Sequence, residues 1–262
     1  MEIFEKFSGY SLLQFQGFIL VMFRIAGLFF DAPIFSNRNI PVMVRVGFVL
    51  FLAVIVMPFV PLTHVAGAGD GLGFVIAVIK EVLIGMVLGF IARLIFLGIQ
   101  IAGQLMDYQM GFGFVNIVDP ESQLQVPIIG QFLYIIVLFV LLLINGHHWI
   151  VQALVKSFEV VPVAGAHFKP VLVDYATRMF ADTFVMGFKI AAPIAMSLFL
   201  VDLAYGVIAR ALPQANIMVV GFPIKIGLGF VFLLSSMPLF FMVMKRFMVS
   251  SLLNLNALFR MM

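Results

Sequence analysis

The chain has 262 residues, 64% of them hydrophobic and only 10% charged, with a formal net charge of +3 and no cysteine. An ordinary soluble domain is about half apolar and about a quarter charged, and a soluble globule of this size could not hide so much apolar surface from water. The balance excludes a cytosolic enzyme, a disordered scaffold and a secreted disulfide domain, and the lack of cysteine excludes thiolate metal sites and cysteine nucleophiles.

Six apolar stretches follow in chain order: Leu12–Phe30, Val42–Leu62, Leu72–Met106, Pro127–Ile144, Phe184–Ala209 and Ile217–Met244. Each approaches the roughly 20 residues that a spanning helix requires. Ahead of the first, Glu2 and Glu5 stand against Lys6 and no small-residue cleavage pattern follows, so that run is expected to persist in the mature chain. The break at Asp31–Pro41 has turn composition, with Pro33, Ser36, Asn37 and Pro41. The third stretch is long enough to bend. The longest polar interval, Asn145–Thr183, ends in Asp174, Arg178 and Asp182, four residues apart. That spacing predicts an amphipathic helix with one alternating-sign stripe. Lys and Arg collect on the side of both termini and of this interval, which would place the termini in the cytoplasm if every stretch crosses lipid.

Charges inside the apolar stretches are the first functional clue. Arg24, Lys80, Glu81, Arg93, Lys189 and Asp202 all lie there, where an Arg, Lys or Asp costs about 2.5–3.5 kcal/mol even on mild insertion scales. They are expected to be buried against protein or to line an aqueous path. Adjacent Lys80 and Glu81 point about 100° apart on a helix, so each needs a partner elsewhere.

The segment Met110-Gly111-Phe112-Gly113-Phe114-Val115-Asn116-Ile117-Val118 is the second. Alternating glycines weaken a helix by about 1 kcal/mol each, and the Asp119-Pro120 step opposes its continuation. The expectation is an irregular apolar loop between spans, a form tolerated at membrane depth only inside protein or along a water-filled cavity. Such a loop could close a pore by dewetting and ring packing, or simply pack as a re-entrant element.

Enzyme readings are weaker. Gly67-Ala68-Gly69-Asp70 copies the glycine-aspartate string of intramembrane proteases, but in a turn and without a second carboxylate motif. His147 and His148 are adjacent, with no ligand at metal spacing, and suit a boundary or interface. No nucleotide loop or nucleophile elbow is present. No enzyme activity, metal or other cofactor is expected, and no nucleic acid. Gly85 and Gly89 form a GxxxG pair, and Gly98, Gly103, Gly227 and Gly229 add further close-packing positions. The excess of Phe, 31 against 1 Trp, suits packing between helices.

The chain resembles the FliR family, the type III export gate proteins of bacterial flagella, with their injectisome counterparts. The resemblance rests on Arg24, Pro33, Phe35, Ile40-Pro41, Arg45, Glu81, Gly85 and Gly89. It continues through Gly103, Asp107, Gln109, Gly111, Asp119-Pro120 and Gly146-His147, then Pro193, Asp202, Gly206, Arg210, Pro213-Gln214, Asn216 and Phe222-Pro223-Ile224-Lys225. It implies an all-α chain in a helical multi-subunit assembly with FliP and FliQ, capped by FlhB, in the bacterial inner membrane at the flagellar basal body. It further implies a FliP-like part at 1–183 and a FliQ-like hairpin with its tail at 184–262. Arg210, Pro213, Gln214, Asn216, Phe222, Pro223 and Lys225 would then belong to a partner loop facing FlhB. Residues 110–118 would plug the pore for unfolded flagellar proteins, anchored by Asp107, Gln109, Asp119 and Pro120. The alternative is a secondary transporter or channel for a small solute, using Asp202, Lys189 and Glu81.

Overall fold

A computed structural model describes residues 2–36, 39–61, 71–112, 127–166, 168–211 and 217–259. Over these residues the protein is all-α. The helices are α1 (Glu2–Asp31), α2 (Val42–Val56), α3 (Gly71–Met110), α4 (Ile128–Leu143), α5 (Gly146–Val160), α6 (Val171–Ala211) and α7 (Ile217–Phe259). A 3₁₀ turn, Met57–Phe59, extends α2. Five helices are long and apolar enough to cross a membrane, and α4 with α5, bent by 69°, makes up to six. The bend falls at Asn145, whose φ of 56° is left-handed, a conformation Asn tolerates better than most residues. The apolar stretch Pro127–Ile144 accordingly ends at this bend, its helix closing at Leu143.

Helix α3 is one unbroken helix of 40 residues, and α6 and α7 have 41 and 43. At 1.5 Å per residue each is about 60 Å long, twice the roughly 30 Å hydrocarbon core of a bilayer. The stripe of Asp174, Arg178 and Asp182 is exposed as expected, but it forms the first turns of α6 rather than a separate helix. Helix α6 also runs unbroken through Thr183.

The chain divides into two compact units. The first comprises 1–94, 141–177 and 251–262, the second 95–140 and 178–250. In the first unit α1 and α3 lie side by side and parallel: Arg24 meets Glu81, Gly27 meets Val82 and Gly85, Leu28 meets Gly89, and Asp31 meets Arg93. A Cβ on Gly85 would strike the backbone carbonyl of Arg24, and one on Gly89 would come within 2.7 Å of that of Leu28. The GxxxG pair thus serves packing within the chain. Leu20, Val21, Ile25 and Leu28 of α1 and Ile84 and Leu88 of α3 are all buried.

In the second unit the end of α3 pairs antiparallel with α4, Phe96 against Tyr134 and Gly103 against Gly130. Helices α6 and α7 are antiparallel too, since Asp202 meets Lys225 and Tyr205 meets Gly221.

Phenylalanine mostly does not pack inside. Phe29, Phe96, Phe158 and Phe240 are buried, whereas Phe15, Phe30, Phe48, Phe51, Phe59, Phe139 and Phe188 are among those facing outward. Helix α2 is apolar on nearly every side, with Met43 85% exposed. Such a surface requires lipid or another chain.

Candidate functional site

Helix α3 stops at Met110 and α4 begins at Ile128, and the geometry between them is a clasped neck. Asp107, in the last turn of α3, reaches across to the start of α4. Its Oδ1 accepts from the Ile129 N–H at 2.9 Å and its Oδ2 from the Gly130 N–H at 3.2 Å. Those N–H groups belong to the first turn of α4 and have no partner in their own helix. A carboxylate there also meets the positive end of the helix dipole. The clasp forms because Gly103 and Gly130 let the two backbones approach: a Cβ on Gly103 would overlap the Cα of Gly130.

Beyond Asp107 the chain turns off α3 with a hydrogen bond from the Gly111 N–H to the Tyr108 carbonyl at 3.2 Å. Gly111 has φ +92°, and a Cβ on it would stand 2.8 Å from the Phe222 ring. Only glycine meets both conditions without strain. Met110 is fully buried, and its side chain lies over Gly229. Phe112 sets its ring edge-on to Phe230, centroids 6.5 Å apart. One face of α7, carrying Phe222, Gly229 and Phe230, thus seats Met110, Gly111 and Phe112. Gln109 is half-buried beside them.

Of the residues expected to form the plug and its anchors, Asp107, Gln109, Met110, Gly111 and Phe112 are placed at this neck. Gly113, Phe114, Val115, Asn116, Ile117, Val118, Asp119 and Pro120 lie outside the described residues, as do Pro213, Gln214 and Asn216 of the partner loop and Gly67-Ala68-Gly69-Asp70. Arg210 is exposed in the last turn of α6. Phe222, Pro223 and Lys225 sit inside a helix rather than in a loop, because α7 begins at Ile217 and continues through both Pro223 and Pro238. Proline is tolerated in apolar spans where neighbours satisfy the freed groups.

The charges resolve differently from expectation. The fold fully buries two of the six, Arg24 and Glu81. Arg24 Nε lies 2.5 Å from Glu81 Oε2, and Nη2 donates to Oε1 at 3.1 Å. Nη1 and Nη2 both donate to the Val161 carbonyl at 3.0 Å, and Nη1 also to Ser157 Oγ at 3.2 Å. The guanidinium stacks over Phe158 at 4.1 Å. Glu81 Oε1 accepts in addition from the Ala164 N–H at 2.9 Å. This full satisfaction is what a charge pair buried this deeply requires.

Lys80 turns away, as its 100° offset demands, and donates to the Ala166 carbonyl at 3.1 Å. The remaining charges are not buried within this chain. Arg93 is 61% exposed while pairing with Asp31, and Lys189 is exposed with no ion pair among the described residues. Their long stems carry the charge off the apolar surface. Asp202 is half-buried and pairs with Lys225 at 2.7 Å. The rings of His147 and His148 lie 4.3 Å apart, tilted by 44°, where α5 begins. Sequence reading missed Ser157, Val161 and Ala164, which act mainly through backbone or a small hydroxyl and carry no motif. It also missed the Asp202–Lys225 pair, although the two stand almost symmetrically about Pro213-Gln214.

Apolar helices of this length, a charge pair sealed inside one unit and a clasped apolar neck in the other define a multi-pass all-α membrane protein. Residues 15–251 match the family described as bacterial export proteins, family 1, and the chain belongs to that family. It is 37% identical to the flagellar biosynthetic protein FliR of Bacillus subtilis, over 88% of this chain and 90% of that protein. It is 30% identical to FliR of Escherichia coli, over 83% of each, and 28% identical to FliR of Aquifex aeolicus, over 84% and 85%.

Proposed function

We propose that the chain is a non-enzymatic subunit of the flagellar type III export gate in the bacterial inner membrane. With FliP and FliQ it forms the pore through which unfolded flagellar proteins leave, and FlhB caps the cytoplasmic side. Residues 110–118 are the plug. The observation that carries this reading is the neck: Asp107 holds α3 to α4, while Met110 and Phe112 rest on α7. A segment held at its root by a clasp and a seat can move without unmaking the helices around it. The division into a FliP-like part, 1–183, and a FliQ-like part, 184–262, belongs to the same proposal. Export through the pore draws its energy from elsewhere.

The transporter reading needs free coupling groups. Both of its carboxylates, Glu81 and Asp202, are already committed to Arg24 and Lys225, and only Lys189 has no ion pair among the described residues, which favours the gate. The test is to replace Phe112–Ile117 by a short Gly/Ser loop. The gate complex should still assemble, and the membrane should leak ions. Unchanged conductance in an assembled complex counts decisively against the plug. Purification of the tagged chain should yield a large heteromeric ring; a lone chain with solute uptake would favour the transporter.

A further inference from the structure

Helix α7 makes two adjoining sets of contacts within the second unit. Gly221 and Lys225, one turn apart, meet α6: the Tyr205 hydroxyl donates to the Gly221 carbonyl at 3.3 Å, and Lys225 Nζ lies 2.7 and 2.8 Å from the two Asp202 oxygens. Phe222, Gly229 and Phe230 adjoin them, Gly229 one turn beyond Lys225, and seat the root of the plug segment, Met110–Phe112. Residues i and i+4, and i and i+7, share a face of a helix. Whatever sets α7 against α6 therefore also sets the seat. Lys225 is largely buried, its side chain 13% exposed, so it cannot trade its partner for water cheaply.

We propose that the Asp202–Lys225 ion pair is a latch on the neck: it holds α7 where its Phe222–Phe230 face keeps Met110 and Phe112 seated, and breaking it frees the plug root. Asp202 and Lys225 are thus positioning residues for gating. The proposal rests on the plug reading above, and its test separates the two.

The chain has no cysteine, so Met110→Cys provides a single reporter at a fully buried position. Its labelling by N-ethylmaleimide is followed in membranes containing the assembled gate and read on the purified tagged chain. In this background Lys225→Met and Asp202→Asn should each speed labelling about fivefold, the shift in an opening equilibrium that loss of a partly exposed ion pair supplies. The charge swap Asp202→Lys with Lys225→Asp should return labelling towards the parental rate, and Lys225→Arg should keep it there. Unchanged labelling in both single variants overturns the latch. So does a swap that assembles yet labels as fast as the singles, or faster labelling in Lys225→Arg. Ion leak is measured on the same cells. Faster labelling without leak upholds the latch and defeats the plug; leak from the Gly/Ser loop with labelling unmoved by the latch variants does the reverse.

Discussion

Arg24 and Glu81 are 57 residues apart in sequence and 2.5 Å apart in space, and neither side chain is accessible to solvent. With Ser157, Val161 and Ala164 they tie α1, α3 and the end of α5 into one unit. Removing one partner of a buried pair leaves a bare charge and costs about 3–5 kcal/mol, whereas apolar replacement of both is milder. Arg24→Met and Glu81→Met are therefore each expected to lower the chain's level in membranes and its unfolding temperature in detergent. The double variant should recover much of the loss. Equal damage in all three would refute the pairing as the source.

The α1–α3 seam gives a second contrast. Gly85 faces the Arg24 backbone, whereas nothing lies within 4 Å of a Cβ built on Gly227. Gly85→Val has to push backbone apart and should destabilise by more than the roughly 1–3 kcal/mol of ordinary overpacking. Gly227→Ala should be neutral or better. Thermal melts of the two purified variants decide the matter.

At the neck, Asp107→Ala removes the acceptor for two N–H groups of α4. Loss of a helix cap costs about 1 kcal/mol, too little to unfold the chain but enough to loosen the clasp. The expected outcome is normal accumulation with a partial ion leak, and Asp107→Asn should fall between the alanine variant and the parent. Full tightness in Asp107→Ala would mean that the clasp is dispensable.

Gly111→Ala meets two obstacles of separate origin. Its φ of +92° costs an L-residue roughly 1–2 kcal/mol, and the new Cβ meets the Phe222 ring at 2.8 Å. Phe222→Ala relieves only the second. Measured by thermal stability in a double-mutant cycle, the two substitutions should couple, with the combined loss smaller than the sum. Strict additivity would remove Phe222 from the seat.

Much of the frame was legible because long apolar runs are the strongest signal a sequence carries. That Lys80 and Glu81 needed separate partners followed from 100° per residue alone. The identities of those partners did not follow, because Val161, Ala164 and Ala166 offer backbone groups that every residue possesses. Helix α6 misled for a physical reason: an exposed charged stripe and an apolar span look like two elements when read by composition, yet nothing at Thr183 breaks the backbone. The resemblance puts Lys225 in a partner loop, whereas α7 absorbs Pro223 and carries Lys225 within the helix. Asp107 is a different case: its carboxylate fastens the start of α4, and the groups it fastens could not be read from any motif.

The Asp107 clasp has a consequence for inheritance. Because residues 107 and 129–130 are held together whatever lies between them, the intervening segment is a closed ring of chain hung from a fixed hook. Closing a loop of chain costs only about 0.6 kcal/mol more for each doubling of its length. Insertions, deletions and substitutions inside it can therefore accumulate over generations without disturbing the register of α3 against α4. Length changes between residues 112 and 127 can thus be inherited while the frame that fastens both ends is passed on unchanged.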